Sequence, residues 1–378
     1  MRIAISRLLT LIVLSVSGLL AGCGGSCSLG CGGDGDPPAP PAPPEAPPPP
    51  AVVMQTFAYV AGNGPDAINI FRVEDNGALV SVGAAPAGEN VRSISIHPSN
   101  RFAYTVNSGD DNISVFTLDP ATGGLSNRVD VPAGQSPRHM RIHPSGNFAY
   151  VTNFEDGTVS IFNVDTGTGA LTVNAAGPVA VGVSTSGITI DPAGQFVFVE
   201  SDDGLRSYSI AASGALSPIG IPLPMASPVT DIALSPSGRM LYATSADGTV
   251  SRHPISATGQ VGAGTEAAVV GAGEQALYIE PRGRFAYVTN RSDNSVYAFG
   301  INSTTGNLVE AGTVSPGGSP RGAAMGSTGE YLYATSQADG TVSMYSVHQT
   351  TGALTRVGTP VQVGGAILIG ITIASFPR

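Results

Sequence analysis

The 378-residue chain holds 50 Gly and 30 Pro, and only 12% of its residues are charged. It is long enough to bury a large core, and a composition rich in Gly, Pro, Val and Thr points to β structure rather than helix. The net charge is −10 and all 17 basic residues are Arg, which argues against nucleic-acid binding and against electrostatic attraction to anionic lipid.

The first element is an address. Arg2 and Arg7 flank a basic start, and Leu8 to Leu20 is apolar but too short for an ordinary membrane-spanning helix. With the small residues of "LLAGC", Leu19 to Cys23, this reads as a secretory signal over residues 1–22. Small residues followed at once by Cys resemble the lipobox of bacterial lipoproteins. That resemblance implies that Cys23 becomes the lipidated first residue of an exported protein, whose lipid is its only membrane contact. Gly24, in place of an Asp, points to the outer rather than the inner membrane where a cell has two. Removing the signal takes Arg2 and Arg7 with it and leaves a net charge of −12.

Residues 23–50 read as a tether. Cys27 and Cys31 in "CGGSCSLGC" are either a small disulfide or incidental thiols; with no His near, they complete no usual metal site. "PPAPPAPPEAPPPP" cannot make ladder hydrogen bonds and favours an extended polyproline II rod, roughly 43 Å long at about 3.1 Å per residue.

From residue 51 to 378 one unit recurs seven times. Its central aromatic falls at Tyr59, Tyr104, Tyr150, Phe198, Tyr242, Tyr287 and Tyr333, at intervals of 44 to 48 residues. After each aromatic strand comes a tight turn such as "EDG" or "ADG", whose Asp-Gly pairs tolerate positive φ. An alternating strand follows ("VSIFNV", "VSMYSV"), then a wider turn ("DTGTGAL", "HQTTGAL"), a fourth short strand, and a segment opening the next unit ("RHMRIHPSG", "DIALSPSG"). Four short antiparallel strands repeated seven times, with no helical segment between, predict an all-β, seven-bladed β-propeller. The phase predicts that the last segment, Ile367 to Phe376, pairs with the strand at Phe57 and closes the ring.

The repeats also separate fold from chemistry. His97 and His143 occupy the first corner of a turn filled elsewhere by Asp191, Ser235, Glu280 and Gly326, which assigns them a structural role. The Asp-Gly turns show no closely spaced run of oxygen ligands, so no metal is expected. The starts of the innermost strands differ from unit to unit. Counting back from the turn gives Arg92, Arg138, Ser186, Thr230, Gln275 and Arg321, with the seventh position near Leu368. In a propeller these starts ring the channel mouth. Arg92, Arg138 and Arg321 fall on one arc and suit a carboxylate or phosphate, with Asp231 and Gln275 as further ligand-binding candidates. His139 is the only histidine there and the candidate for proton transfer, which makes His139, Arg138 and Arg321 the candidate catalytic set. The alternative is that these arginines hydrogen-bond neighbouring loops or pair with Asp231 and Glu274.

"FAYVTN" at Phe148 and Phe285, with "HPSG", "DGTV" and "TGAL" in register, resembles the YVTN-repeat propellers. These are related to the lactonase family that includes bacterial 6-phosphogluconolactonase. The resemblance implies a site built on His and Arg at inner-strand starts, with a Glu after the "YVTN" segment. Only Arg321, in "SPRG", matches that pattern in both motif and register. "SPRHM" stands on the second such strand, where the family's pattern places it on the fourth; that strand reads "SPVTDIAL" here, and the Glu position is Phe154. The first reading is therefore a lipid-anchored, extracytoplasmic, monomeric module that binds a small anionic ligand or an envelope protein, without a cofactor. The alternative is a lactone hydrolase with a non-standard site at the channel mouth. A purely structural envelope protein is the third.

Overall fold

The computed structural model describes residues 54–63, 66–363 and 367–377. The signal, Cys23, Cys27, Cys31 and the Pro-rich rod lie outside the described residues. The described residues all belong to one compact unit.

The described residues form the expected seven-bladed propeller of antiparallel strands. Among the described residues there is no helix. Blade 1 is built from both ends of the chain: Met54–Asn63, Ala67–Val73 and Leu79–Pro86 from the start, Ile367–Pro377 from the end. The last strand pairs antiparallel with the first, Tyr59 opposite Thr372 and Phe57 opposite Ala374. This is the closure that the phase of the repeats predicts, and it joins both ends of the chain in one blade.

The remaining blades follow in order, each opening on its innermost strand: Val91–Ile96 for blade 2, Pro137–Ile142 for blade 3, Ile188–Ile190 for blade 4, Val229–Leu234 for blade 5, Gln275–Ile279 for blade 6 and Pro320–Met325 for blade 7. In blades 3 and 7 the outermost strand is split into two short pieces. The core is divided in the same way. Buried side chains form seven clusters, each bridging two neighbouring blades: Phe57, Tyr59 and Phe376 of blade 1, for example, pack with Ile94 and Phe116 of blade 2. Stability therefore resides between blades, and each blade depends on its neighbours.

The conserved grammar of the repeat is explained by contacts that cross those gaps. Six of the seven central aromatics are tyrosines whose hydroxyl donates to a glycine carbonyl in the wide turn of the next blade, as Tyr150 does to Gly214 at 2.9 Å. His97 and His143 do likewise from the turn between the first two strands of their blades. Nδ1 of each accepts from the backbone N–H of Ser99 or Ser145. That leaves Nε2–H to donate to Gly146 O at 2.9 Å and Gly194 O at 2.8 Å. Both histidines are interblade fasteners.

Candidate functional site

Where the innermost strands begin, four blades carry a local register shift against the second strand: after Val91, Pro137, Val229 and Pro320. Blade 1 carries the same shift between Ala61 and Gly62. A bulge turns its extra residue out of the ladder and re-aims the side chain. Arg92, Arg138, Thr230 and Arg321 stand in these shifts, so their side chains are freed to line the central cavity. The equivalent residue in blade 1 is Ile369, one beyond the position counted from the sequence. Blade 6 has no shift: Gln275 pairs directly with Asn290. Gln275 is therefore one step earlier than its apparent siblings. It is buried, donates to Gly271 O at 2.8 Å and accepts from the Thr230 hydroxyl at 3.1 Å, joining blades 5 and 6.

The central cavity has a volume of about 710 Å³ and is lined by Arg92, Arg138, Arg321, His139 and Asp231, together with Gln275. All the sequence-derived site residues that the structure describes thus meet in one place. Arg92, Arg138 and Arg321 lie close enough for each of the last two to lower the pKa of Arg92, which burial and these like charges together push down to about 10. Their partners differ. Arg92 donates to the Ser108 hydroxyl at 3.0 Å. Arg138 stacks its guanidinium over the Phe154 ring at 4.2 Å, and its buried Nε has no hydrogen-bond partner. Arg321 has no side-chain hydrogen bond or ion pair among the described residues. Glu274, a candidate counter-ion, is instead paired with Arg291.

Deeper in the cavity the chemistry changes. His139 Nδ1 lies 3.1 Å from the carbonyl of Ser186. A carbonyl only accepts, so Nδ1 carries the hydrogen and Nε2 keeps its lone pair. Burial, then the charge of Arg141, pushes the imidazole pKa down to about 4, so it is neutral at pH 7. Asp231 accepts from Ile232 N and Leu277 N, both at 2.8 Å, one to each oxygen, and so clamps the inner strands of blades 5 and 6. Burial still raises its pKa to about 6.

Among the lining residues outside the set counted on the sequence are Arg141, Glu200 and Phe154. Arg141 projects into the cavity from the middle of the blade 3 inner strand, where the corresponding residues are Ser95, Thr189, Ala233, Tyr278, Ala324 and Thr372. Glu200 stands inside the second strand of blade 4, where the siblings carry Ala61, Val106, Thr152, Thr244, Thr289 and Thr335. Phe154 supplies the face on which Arg138 rests. A lone charge at a position that is small or uncharged in every sibling was the available signal for the first two. Asn107, Asn153 and Asn290, at the ends of the second strands, do not reach the cavity. They are buried, and bond side chains of the adjoining hairpin (Asn107 and Asn153) or a backbone carbonyl (Asn290).

The arrangement can bind an anion at the arginines and hold a neutral imidazole beneath it. Comparison with known proteins agrees on the fold around it. A candidate 6-phosphogluconolactonase from Bacteroides fragilis superposes with a TM-score of 0.75 at 19% identity, covering 85% of this chain and 98% of that one. The periplasmic gluconolactonase of Pseudomonas aeruginosa does so with a TM-score of 0.70 at 21% identity, covering 83% and 98%. In sequence, a 6-phosphogluconolactonase of Formosa agariphila is 40% identical over 73 residues, which is 18% of this chain and 21% of that protein's length. The family model described as "Lactonase, 7-bladed beta-propeller" matches residues 51–130, 126–247 and 263–371. The chain belongs to this lactonase family of seven-bladed β-propellers.

Proposed function

We propose that the protein is a lactone hydrolase of the cell envelope, acting on a sugar lactone that carries a carboxylate or phosphate. The observation that carries this reading is the pair of guanidiniums without a hydrogen-bond or ion-pair partner among the described residues, Arg138 and Arg321, lining the same cavity as a neutral histidine whose Nε2 is left free. A buried donor without a partner is costly in the empty site and is satisfied when an anion binds. The family supports the reaction class, and the names of the Formosa and Pseudomonas relatives support a sugar lactone.

In this reading Arg92, Arg138 and Arg321 hold the anionic group and place the lactone carbonyl over His139. Water adds to that carbonyl while His139 Nε2 takes its proton, and the ring oxygen leaves with a proton of its own. The Ser186 carbonyl keeps the imidazole in the reactive tautomer throughout. No cofactor is called for. The chain works as a monomer, exported and lipid-anchored through Cys23, at the outer rather than the inner membrane. The lipid is its only membrane contact, and the Pro-rich rod holds the propeller off the surface.

The test compares hydrolysis of 6-phosphoglucono-1,5-lactone and of neutral glucono-1,5-lactone above the uncatalysed rate, by the parent and by Arg321→Met. The parent should turn over the anionic lactone. The variant should raise its KM on the order of 10- to 100-fold, since a charge-assisted hydrogen bond contributes about 1.5–3 kcal/mol, while changing the neutral lactone little. The second reading, a module that binds an anion or an envelope protein without turnover, is favoured by the position of the Arg-His motif two blades from its place in the family pattern. Absence of any catalysed hydrolysis, with binding retained, selects it.

A further inference from the structure

We infer that Glu200 is a catalytic acid of this site: it carries a proton on Oε2 and delivers it to the leaving ring oxygen as the lactone opens. This rests on the hydrolase reading above and extends it with a residue that the sequence pattern does not supply.

The geometry is one-sided. Oε1 of Glu200 accepts two backbone N–H groups, from Gly187 at 2.7 Å and Ser186 at 3.1 Å. Oε2 is buried and has no hydrogen-bond partner. The residue is 3% exposed, yet it lines the cavity. An orphaned carboxyl oxygen in that position is either a charge left bare or an O–H awaiting an acceptor. The bare charge is the costlier of the two. Burial first, and the neighbouring Asp231 carboxylate in addition, raise the pKa of Glu200 to about 8 against the pull of the two N–H groups. The acid form therefore prevails at neutral pH.

Charged groups around it arrive from three blades. Asp231 comes from the inner strand of blade 5, and Arg141 and His139 come from that of blade 3, all lining the same cavity. On the neighbouring strand of its own blade, Arg206 is turned away to Asp203. No cation pairs with Glu200 among the described residues.

The segment Ser186-Gly187 braces both reacting groups. Its amides hold Glu200 Oε1, and the Ser186 carbonyl holds His139 Nδ1. One rigid peptide thus sets the base and the acid relative to each other. The protons balance. The oxygen of water bonds to the lactone carbonyl carbon as His139 Nε2 removes one of its hydrogens. The bond from that carbon to the ring oxygen then breaks, and the departing oxygen takes the Glu200 proton. The products are a free hydroxyl and a carboxylic acid, leaving imidazolium and Glu200 carboxylate. The imidazolium loses its proton to solvent and the carboxylate regains one. This is the split of roles expected of two groups whose environments drive their pKa values apart.

The test uses Glu200→Gln in the full chain with 6-phosphoglucono-1,5-lactone. Glutamine keeps the shape and the two backbone hydrogen bonds but has no proton to give. A fall in kcat on the order of 10²–10⁴, with KM little changed and the parent's loss of activity near pH 8 abolished, supports the role. Parental kcat with the alkaline limb intact overturns it. If Glu200→Gln does not fold, Glu200→Asp takes its place: it keeps an acid but withdraws it by one methylene. It should lose kcat and retain an alkaline limb, and parental kcat there equally overturns the role. A parent that hydrolyses neither lactone refutes the hydrolase reading itself. The proton is then judged apart from turnover: the carboxylic-acid carbonyl band of the parent at pH 7 should vanish in the infrared difference against Glu200→Gln. Absence of that band shows that Glu200 is ionised and also overturns the inference.

Discussion

The interblade tyrosines give a direct measure of what holds the ring together. Substituting Tyr150→Phe removes the hydroxyl that reaches Gly214 O at 2.9 Å while keeping the ring, which is wholly buried. The loss is the net worth of one buried hydrogen bond, with the carbonyl left unmatched, about 1–2 kcal/mol. Unfolding entropy of about 2.1 cal/mol/K per residue comes to about 0.7 kcal/mol/K for a propeller of this size, so Tm should fall by about 2 °C. Nature supplies the reciprocal experiment. Blade 4 carries Phe198 at this position, and Gly259 in the next blade has the matching wide-turn conformation, φ +81°, over Phe196, as Gly214 has φ +83° over Phe148. Phe198→Tyr should therefore gain up to about 1 kcal/mol, a rise of 1–2 °C. Differential scanning calorimetry of the two single variants and the double decides the matter. Since the two sites lie in different interblade gaps, their effects should add. An unchanged Tm for Tyr150→Phe, or a lower one for Phe198→Tyr, would refute the view that these hydroxyls fasten blade to blade.

Two further outcomes follow from closure and from charge. Ending the chain after Gly365 removes a strand with Leu368 and Phe376 fully buried and opens blade 1. The truncated chain should unfold at a markedly lower temperature by circular dichroism, and melting at the parental temperature would refute the closure. The second is a pH dependence: Glu200, whose folded pKa is raised to about 8, contributes stability in full below its unfolded value. That contribution declines as pH rises toward 8, by at most about 1.4 kcal/mol per pH unit. Asp231 acts in the same direction but is spent by about pH 6. His139, lowered to about 4, acts oppositely and only below about pH 6.5. Between pH 6.5 and 8 the parent should lose stability steadily relative to Glu200→Gln, and parallel Tm curves across that window would contradict the assignment.

How much of this was legible in the sequence follows from what repeats and what does not. The fold lay in the period of the central aromatic, because each blade needs the same Tyr, turn glycine and corner residue to meet its neighbour. His97 and His143 were readable as structural for that reason: their siblings are a set of turn-forming residues. The phase, with the last strand returning to Phe57, needed only the count of strands at each end. Register at the channel mouth was harder. Arg92, Arg138 and Arg321 were found by counting back a fixed number of residues, which works only where each inner strand carries the same bulge. Blade 6 lacks it, so Gln275 was placed one step from its true equivalents and proves to be an interblade hydrogen-bonding residue. A bulge is set by backbone pairing with a strand some 15 residues away, and no local signal marks it.

Glu200 and Arg141 escaped for a different reason. Both sit inside strands, where a sequence reading assigns alternate residues to core and surface. In a propeller the inner strands face a third environment, a central cavity that is neither. A charge there looks like an exposed residue in sequence and is surrounded by protein in space. The discriminating comparison is between siblings: Glu200 against six small or uncharged residues, Arg141 against six uncharged ones. Where every other blade spends that position on Thr, Val or Ala, a lone buried carboxyl has no counterpart in the ring's own architecture. Its cost in stability must then be balanced by something only blade 4 does. Proton delivery to a departing oxygen, from the same Ser186-Gly187 brace that fixes His139, is a task of that kind. It also accounts for the location of the chemistry. The base stands on blade 3 and the acid on blade 4, so the reacting carbonyl is placed between two blades, and that brace holds both reacting groups.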